Sequence, residues 1–186
     1  WINTHEYGIR EKNHPNNHGV CWSLQAASFA DLVGDEKILQ WIREQFKSVY
    51  VQEMMDDSGG FPAELARTKP YGYSLFVIDA MAGVAQVAST KENNLWMFQL
   101  SDGRGMHRGM EFIVPYIENK SSWPFPHDVM YWNEWPVRHP CLLFAGLQYQ
   151  DDHYLNVWKK LEADPEIFEV KRNLPLRHPL LWVLGN

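Results

Sequence analysis

Apolar residues in this chain recur every three or four positions along most of its length, and they almost never alternate. That period belongs to helices packed through one face. From Val20 to Val33 the pattern holds, and Gly34 offers a stop. Asp35 can cap a second helix, with Ile38, Leu39, Ile42, Phe46 and Val49 as its stripe. Asp56 to Gly60 reads as a turn, and Pro62 suits the first turn of a short helix carrying Glu64 and Arg67. Pro70 and Gly72 are expected to break that helix, so that Tyr73 opens the next, which runs to about Ala88. A further helix is expected from Met106 to Asn119, kinked or shortened by Pro115.

The stretch from Asn119 to Pro140 is rich in Pro and Trp and reads as irregular. Helical pattern resumes at Cys141–Gln148 and Asp152–Leu161, and the tail with Pro165, Pro175 and Pro179 is expected to lie as a loop on the surface. Short connections between helices of similar length predict antiparallel hairpins. Periodicity therefore gives an all-α protein. Its 186 residues suffice for one domain with a sizeable core, with the helices in 1–165 and a tail in 166–186.

Charge and composition narrow the partners. A net charge of -6 with no basic stripe argues against a nucleic-acid partner. It does not exclude an acidic substrate, because a local cluster of cations can make one cleft positive. No apolar run is expected to reach the ~20 residues that span a bilayer, so no membrane partner is expected. Cys21 and Cys141 show no metal spacing, and free thiols are expected rather than a disulfide.

Two stretches carry chemistry: Asn16-Asn17-His18-Gly19, and Phe61 to Ser74, which holds Glu64, Arg67, Tyr71 and Tyr73. Together they offer an amide, an imidazole, a guanidinium and a phenol. Such a set can remove the proton from the carbon beside a sugar carboxylate. The amide and guanidinium neutralise the carboxylate, and the imidazole or phenol takes the proton. A free phenol titrates near ~10, and adjacent cations favour its ionised form. Each residue also has a plain structural role open to it. Arg67 can pair with Glu64 one helical turn away, Asn17 can cap a helix, and either tyrosine can pack in the core. Tyr71 and Tyr73 are not separated by this reasoning.

The pair Asn17-His18, followed by Arg67 and Tyr73 in an E-L-x-R-T-x-P-x-x-Y-S setting, resembles the polysaccharide lyases of the alginate lyase superfamily, in the branch acting on alginate or glucuronan. Asp57-Ser58-Gly59-Gly60-Phe61-Pro62, Asp102-Gly103-Arg104-Gly105, Pro115-Tyr116 and Lys120-Ser121-Ser122-Trp123-Pro124 extend the likeness in order. The resemblance implies an incomplete α/α toroid with a groove across one end. It implies β-elimination on a 1,4-linked polyuronate, with Asn17, His18, Arg67 and Tyr73 catalytic and Asn16, Glu64 and Tyr71 binding substrate. It favours Tyr73 over Tyr71 as proton carrier, and no cofactor or catalytic metal is expected. Relatives of this kind are longer and typically exported. The chain is accordingly expected to be the C-terminal portion of a larger secreted or periplasmic toroid, with an N-terminal segment as partner.

Two rivals stand beside this reading. One is a helical-toroid glycoside hydrolase using Asp57 and Glu64 as paired carboxylates. The other is a non-catalytic carbohydrate-binding fragment. A metal site at His127-Asp128 lacks a third ligand at suitable spacing, and Pro15 between His14 and His18 spoils the helical geometry of a zinc pair.

Overall fold

The structure, a computed structural model, describes residues 1–183. Its helices are α1 (Glu6–Lys12), α2 (Asn17–Val33), α3 (Glu36–Gln45), α4 (Pro62–Leu65), α5 (Pro70–Ala88), α6 (Met106–Glu118), α7 (Pro140–Tyr149), α8 (Asp152–Lys160) and α9 (Phe168–Arg172). Helix α3 continues into a wider π-type turn over Phe46–Val51. Among the described residues no strand forms, and the one sheet-like contact is the isolated bridge between Gln99 and Gly105.

The fold is arranged around α5. Fourteen of its 19 residues are buried, on every side of the helix, and it packs against α2, α7, α6, α4 and α3. By length and composition α5 could cross a membrane, which corrects the view that no such run exists. Most of it, however, is buried inside the protein, as befits a core helix. The hairpins form as the short connections require: α2 meets α3 through Gly34, left-handed at φ 70, and Asp35, whose carboxylate caps α3 at Ile38 N. α7 and α8 are joined through Gln150 and Asp151 and pack together.

Several expectations need correction. Pro70 and Gly72 do not break a helix; they start one. Pro70 occupies the first position of α5, where its missing N–H would have been an orphan in any case. Tyr73 is then the fourth residue of α5, its N–H already bonded to Lys69 O. Helix α6 runs through Pro115 to Glu118. The tail is more than a surface loop: it includes α9, whose Val170 is fully buried, and Leu176 in the core cluster. Residues 184–186 of the expected tail lie outside the described residues. Helix α1 escapes periodicity because Gly8 is its only buried residue.

Long-range polar contacts fix the ends of the core helices. Asp128, from the irregular stretch, accepts from Tyr71 N at 2.8 Å and Gly72 N at 2.9 Å, capping α5 from 57 and 56 positions away. Asp79, buried in mid-α5, pairs with His139 Nδ1 at 2.6 Å and accepts from Cys141 N at 3.0 Å, which satisfies the start of α7. Tyr50 donates to Gly19 O at 3.0 Å and contacts Ser23 Oγ at 2.6 Å, tying the π-type turn to the first turns of α2. The starts of α2 and α5, bonded to Glu64 and Asp128, carry the candidate residues Asn17, His18 and Tyr73.

Candidate active site

Asn16 is the N-cap of α2: its Oδ1 accepts from His18 N at 3.0 Å. The cap is therefore Asn16 and not Asn17, and the Asn16 carbonyl amide oxygen is committed to backbone. Asn17 follows as the first residue of α2. Its backbone N–H, an orphan donor at a helix start, reaches Glu64 Oε1 at 2.7 Å, and its amide Nδ2 reaches Glu64 Oε2 at 3.0 Å.

Glu64 is 0% exposed. A buried carboxylate is tolerated only when its oxygens are bonded and its charge is matched. Arg67 supplies the charge, donating from Nη1 to Glu64 Oε2 at 3.0 Å. The same guanidinium lies over the Tyr73 ring, its carbon 3.6 Å from the ring centroid. Lys69 Nζ stands 5.3 Å from that centroid. One carboxylate thus ties Asn17 to Arg67, and Arg67 in turn covers Tyr73.

Arg67 makes the plain salt bridge that its spacing allowed, yet spends one of its five N–H groups on it. Asn17 likewise keeps one amide hydrogen. Both retain donors for a ligand carboxylate. The Tyr73 side chain is partly exposed, and its hydroxyl has no hydrogen-bond partner among the described residues.

Two of the candidate substrate contacts fall away. Tyr71 is fully buried, its hydroxyl donates to Tyr116 O at 3.1 Å, and burial first, then the charge of Asp128, pushes its phenol well above the ordinary range. It is a core residue wedged against Trp123 and Trp132. Glu64 is sealed from solvent and holds other site residues rather than a ligand. The same geometry removes the hydrolase pair, since the Asp57 side chain is 97% exposed while Glu64 is enclosed with all its bonds made inside the protein.

His18 stands at the edge of this group, 45% exposed, with Nδ1 bonded to Glu11 Oε2. His18 and Asn17 line a cavity of about 290 Å³ together with Tyr7, Glu11, Cys21 and Phe76. Tyr73 lines a separate, smaller crevice with Lys69, Trp135, Glu169 and, again, Phe76. The four predicted residues therefore do not enclose one chamber. Three of them flank a shared wall, Phe76, with His18 and Asn17 on one side and Tyr73 on the other, while Arg67 lies over the Tyr73 ring. Cys21 is no nucleophile here: burial, then the charges of Glu64 and Glu11, hold its thiol up at about 12. Both cysteines are free.

Sequence reasoning missed Glu11 and Glu169, and it weighed Asp128 only as a metal ligand, not as the α5 cap. Glu169 on α9 holds Lys69 at 3.0 Å and also pairs with Arg172. His127 stacks on Trp132 with centroids 4.0 Å apart, and Asp128 is the α5 cap. Among the described residues no group of three or more His, Cys, Asp or Glu could hold a metal ion.

Comparison with known proteins follows the same lines. No curated protein matches the chain. Among solved structures, an alginate lyase from Bacteroides ovatus superposes with a TM-score of 0.79 at 23% identity, over 100% of this chain and 47% of that one. The fold is thus that of a helical toroid protein, and the chain spans about half the length of that structure. The alginate lyase family profile matches residues 1–123, a span that holds Asn17, His18, Glu64, Arg67 and Tyr73. With two thirds of its length inside that match and its helices arranged as in a solved relative, this chain is a member of the alginate lyase family.

Proposed function

We propose that the protein is a lyase that cleaves a 1,4-linked polyuronate by β-elimination, with alginate, including its mannuronate-rich tracts, or glucuronan as substrate. The observation that carries this reading is the Asn17–Glu64–Arg67–Tyr73 chain of contacts, with His18 beside it. It aligns two carboxylate-binding donors with a phenol under a cation. The B. ovatus neighbour, itself an alginate lyase, supports the substrate class.

In this reading a uronate lies across Phe76. The free N–H groups of Arg67 and the remaining Asn17 amide hydrogen bind its carboxylate. Removal of the C5 proton places negative charge on that carboxylate as an enolate-like species, and the same donors stabilise it more strongly than they did the ground state. The electron pair then forms the C4–C5 double bond as the C4–O bond breaks, and the leaving oxygen takes a proton. Where the C5 hydrogen and C4 oxygen share a ring face, Tyr73 serves as base and then acid. Where they lie on opposite faces, His18 takes the proton and Tyr73 returns one. Because such polymers lie outside the cell, the reading also places the protein in a secreted or periplasmic location.

Incubation with mannuronate-rich alginate, guluronate-rich alginate and glucuronan tests it. The expected outcome is growth of ultraviolet absorbance from unsaturated ends. Reducing sugar without absorbance would mean a hydrolase, and retention on the polymer with neither signal would mean a binding module.

A further inference from the structure

His18 carries two ring nitrogens; a neutral imidazole holds its proton on one and accepts at the other, and the hydrogen bonds around the ring set which is which. Its Nδ1 is paired with Glu11 Oε2, seven residues back on α1. Its Nε2 has no hydrogen-bond partner among the described residues, and the residue lines the cavity beside Asn17. We infer that Glu11 is the positioning residue of the His18 base: its carboxylate keeps the proton on Nδ1 and leaves Nε2 open toward the substrate. This inference rests on the lyase reading of the site.

The backbone is built for this contact. Helices α1 and α2 pack as a hairpin joined by Asn13 to Asn16. A Cβ at Gly19 would sit 2.5 Å from His14 O, so the last residue of the N-N-H-G run must lack a side chain for the loop to come this close. That approach also stacks the His14 ring on His18 at 4.8 Å between centroids and 26° between planes, which limits rotation of the imidazole. Arg10 Nε stands 3.9 Å from Glu11 Oε1, an exposed pair that adds little to its placement. Glu11, His14 and His18 thus form one carboxylate–imidazole group on a short hairpin, next to the Asn17 that bonds Glu64.

The pair differs from a buried triad in being accessible, with the Glu11 side chain 38% exposed. Its removal should therefore cost less than the ~10⁴-fold typical of a buried triad carboxylate. The test compares Glu11→Ala with Glu11→Gln in the same chain. The glutamine amide oxygen can still accept from Nδ1–H, whereas alanine cannot.

Nitrogen NMR of His18 at a pH where it is neutral reads the tautomer directly. The expected result is Nδ1–H in the parent and in Glu11→Gln, and a shift toward Nε2–H in Glu11→Ala. In the elimination assay Glu11→Ala should lower kcat roughly 10- to 100-fold with KM within about twofold, and Glu11→Gln should recover part of that loss. The drop should be larger on guluronate blocks, where the base must act from the opposite face, than on mannuronate blocks. An unchanged tautomer in Glu11→Ala, or unchanged kcat on every block that the parent cleaves, would overturn the inference. A parent protein without turnover on any polyuronate would instead strike the lyase reading, and the tautomer measurement would still decide whether Glu11 holds His18.

Discussion

The two halves of the site are built in opposite ways. On the Tyr73 side Arg67 meets Glu64 three positions away, but the frame around them is fastened by residues remote in sequence: Glu64 reaches Asn17 across 47 positions, Asp128 caps α5 across 57, and Glu169 holds Lys69 across 100. On the His18 side the partner is seven positions away, and the contact is partly exposed. The lesson concerns rigidity. A phenol under a guanidinium must be held by the tertiary fold, because its chemistry depends on a fixed charge at short range. An imidazole that meets its carboxylate on a local hairpin needs little help from the core to do so.

The contrast can be broken most severely at Glu64. Glu64→Ala strands the Arg67 charge and the Asn17 donors, and should cost about 3 kcal/mol, the low end for a broken buried pair because Arg67 is partly exposed. Chemical denaturation should show that loss together with nearly abolished turnover. Glu11→Ala, in contrast, should leave the denaturation midpoint almost unmoved, and an equal loss in both variants would erase the distinction drawn here.

Tyr73→Phe comes next. It should lower kcat at least ~100-fold, the usual scale for losing a general acid or base, while KM and stability change little. Near-normal turnover would move the proton to His18 alone, since Tyr71 is sealed in the core.

A smaller effect is expected at Asp128→Ala. Loss of a helix cap costs about 1 kcal/mol, and amide exchange should quicken at Tyr71 and Gly72 while residues of α1 stay unchanged. Uniform acceleration across both helices would show that the two halves are mechanically one.

The mildest case is Glu169, whose carboxyl is held down at about 2, first by the Arg172 hydrogen bonds and then by Lys69, against the opposing effect of burial. A carboxyl lowered in the folded state stabilises above its ordinary value of 4.5 and loses that contribution as pH falls toward 2. The Tm difference between the parent and Glu169→Gln should therefore be full above 4.5 and close toward pH 2. A gap that is constant with pH would assign the clamp to packing instead.

Much of this was legible in the chain itself. The three-four periodicity of α2, α3 and α5 gave the core, because these helices bury a continuous face or their whole circumference. The N-N-H-G and E-L-x-R-T-x-P-x-x-Y-S runs pointed to Asn17, His18, Arg67 and Tyr73 as candidates, and contacts through Glu64 link Asn17, Arg67 and Tyr73. What escaped has one cause on each side. Asp128 and Glu169 act on residues dozens of positions away, and a lone acid in a Pro- and Trp-rich stretch or a short tail helix advertises nothing. Glu11 escaped though it is near, because α1 has no apolar stripe to announce a helix that would carry it to His18. Tyr71 and Tyr73, two residues apart, were separable only by their surroundings: one packs beneath Trp123, the other lies under Arg67.

Sharing Glu64 between an amide and a guanidinium has an evolutionary corollary. Because one anion orients both donors, replacements at Asn17 and Arg67 should be strongly epistatic, the second doing far less harm than the first. Descendants of this protein would then be expected to keep the trio intact or to shed it as a block.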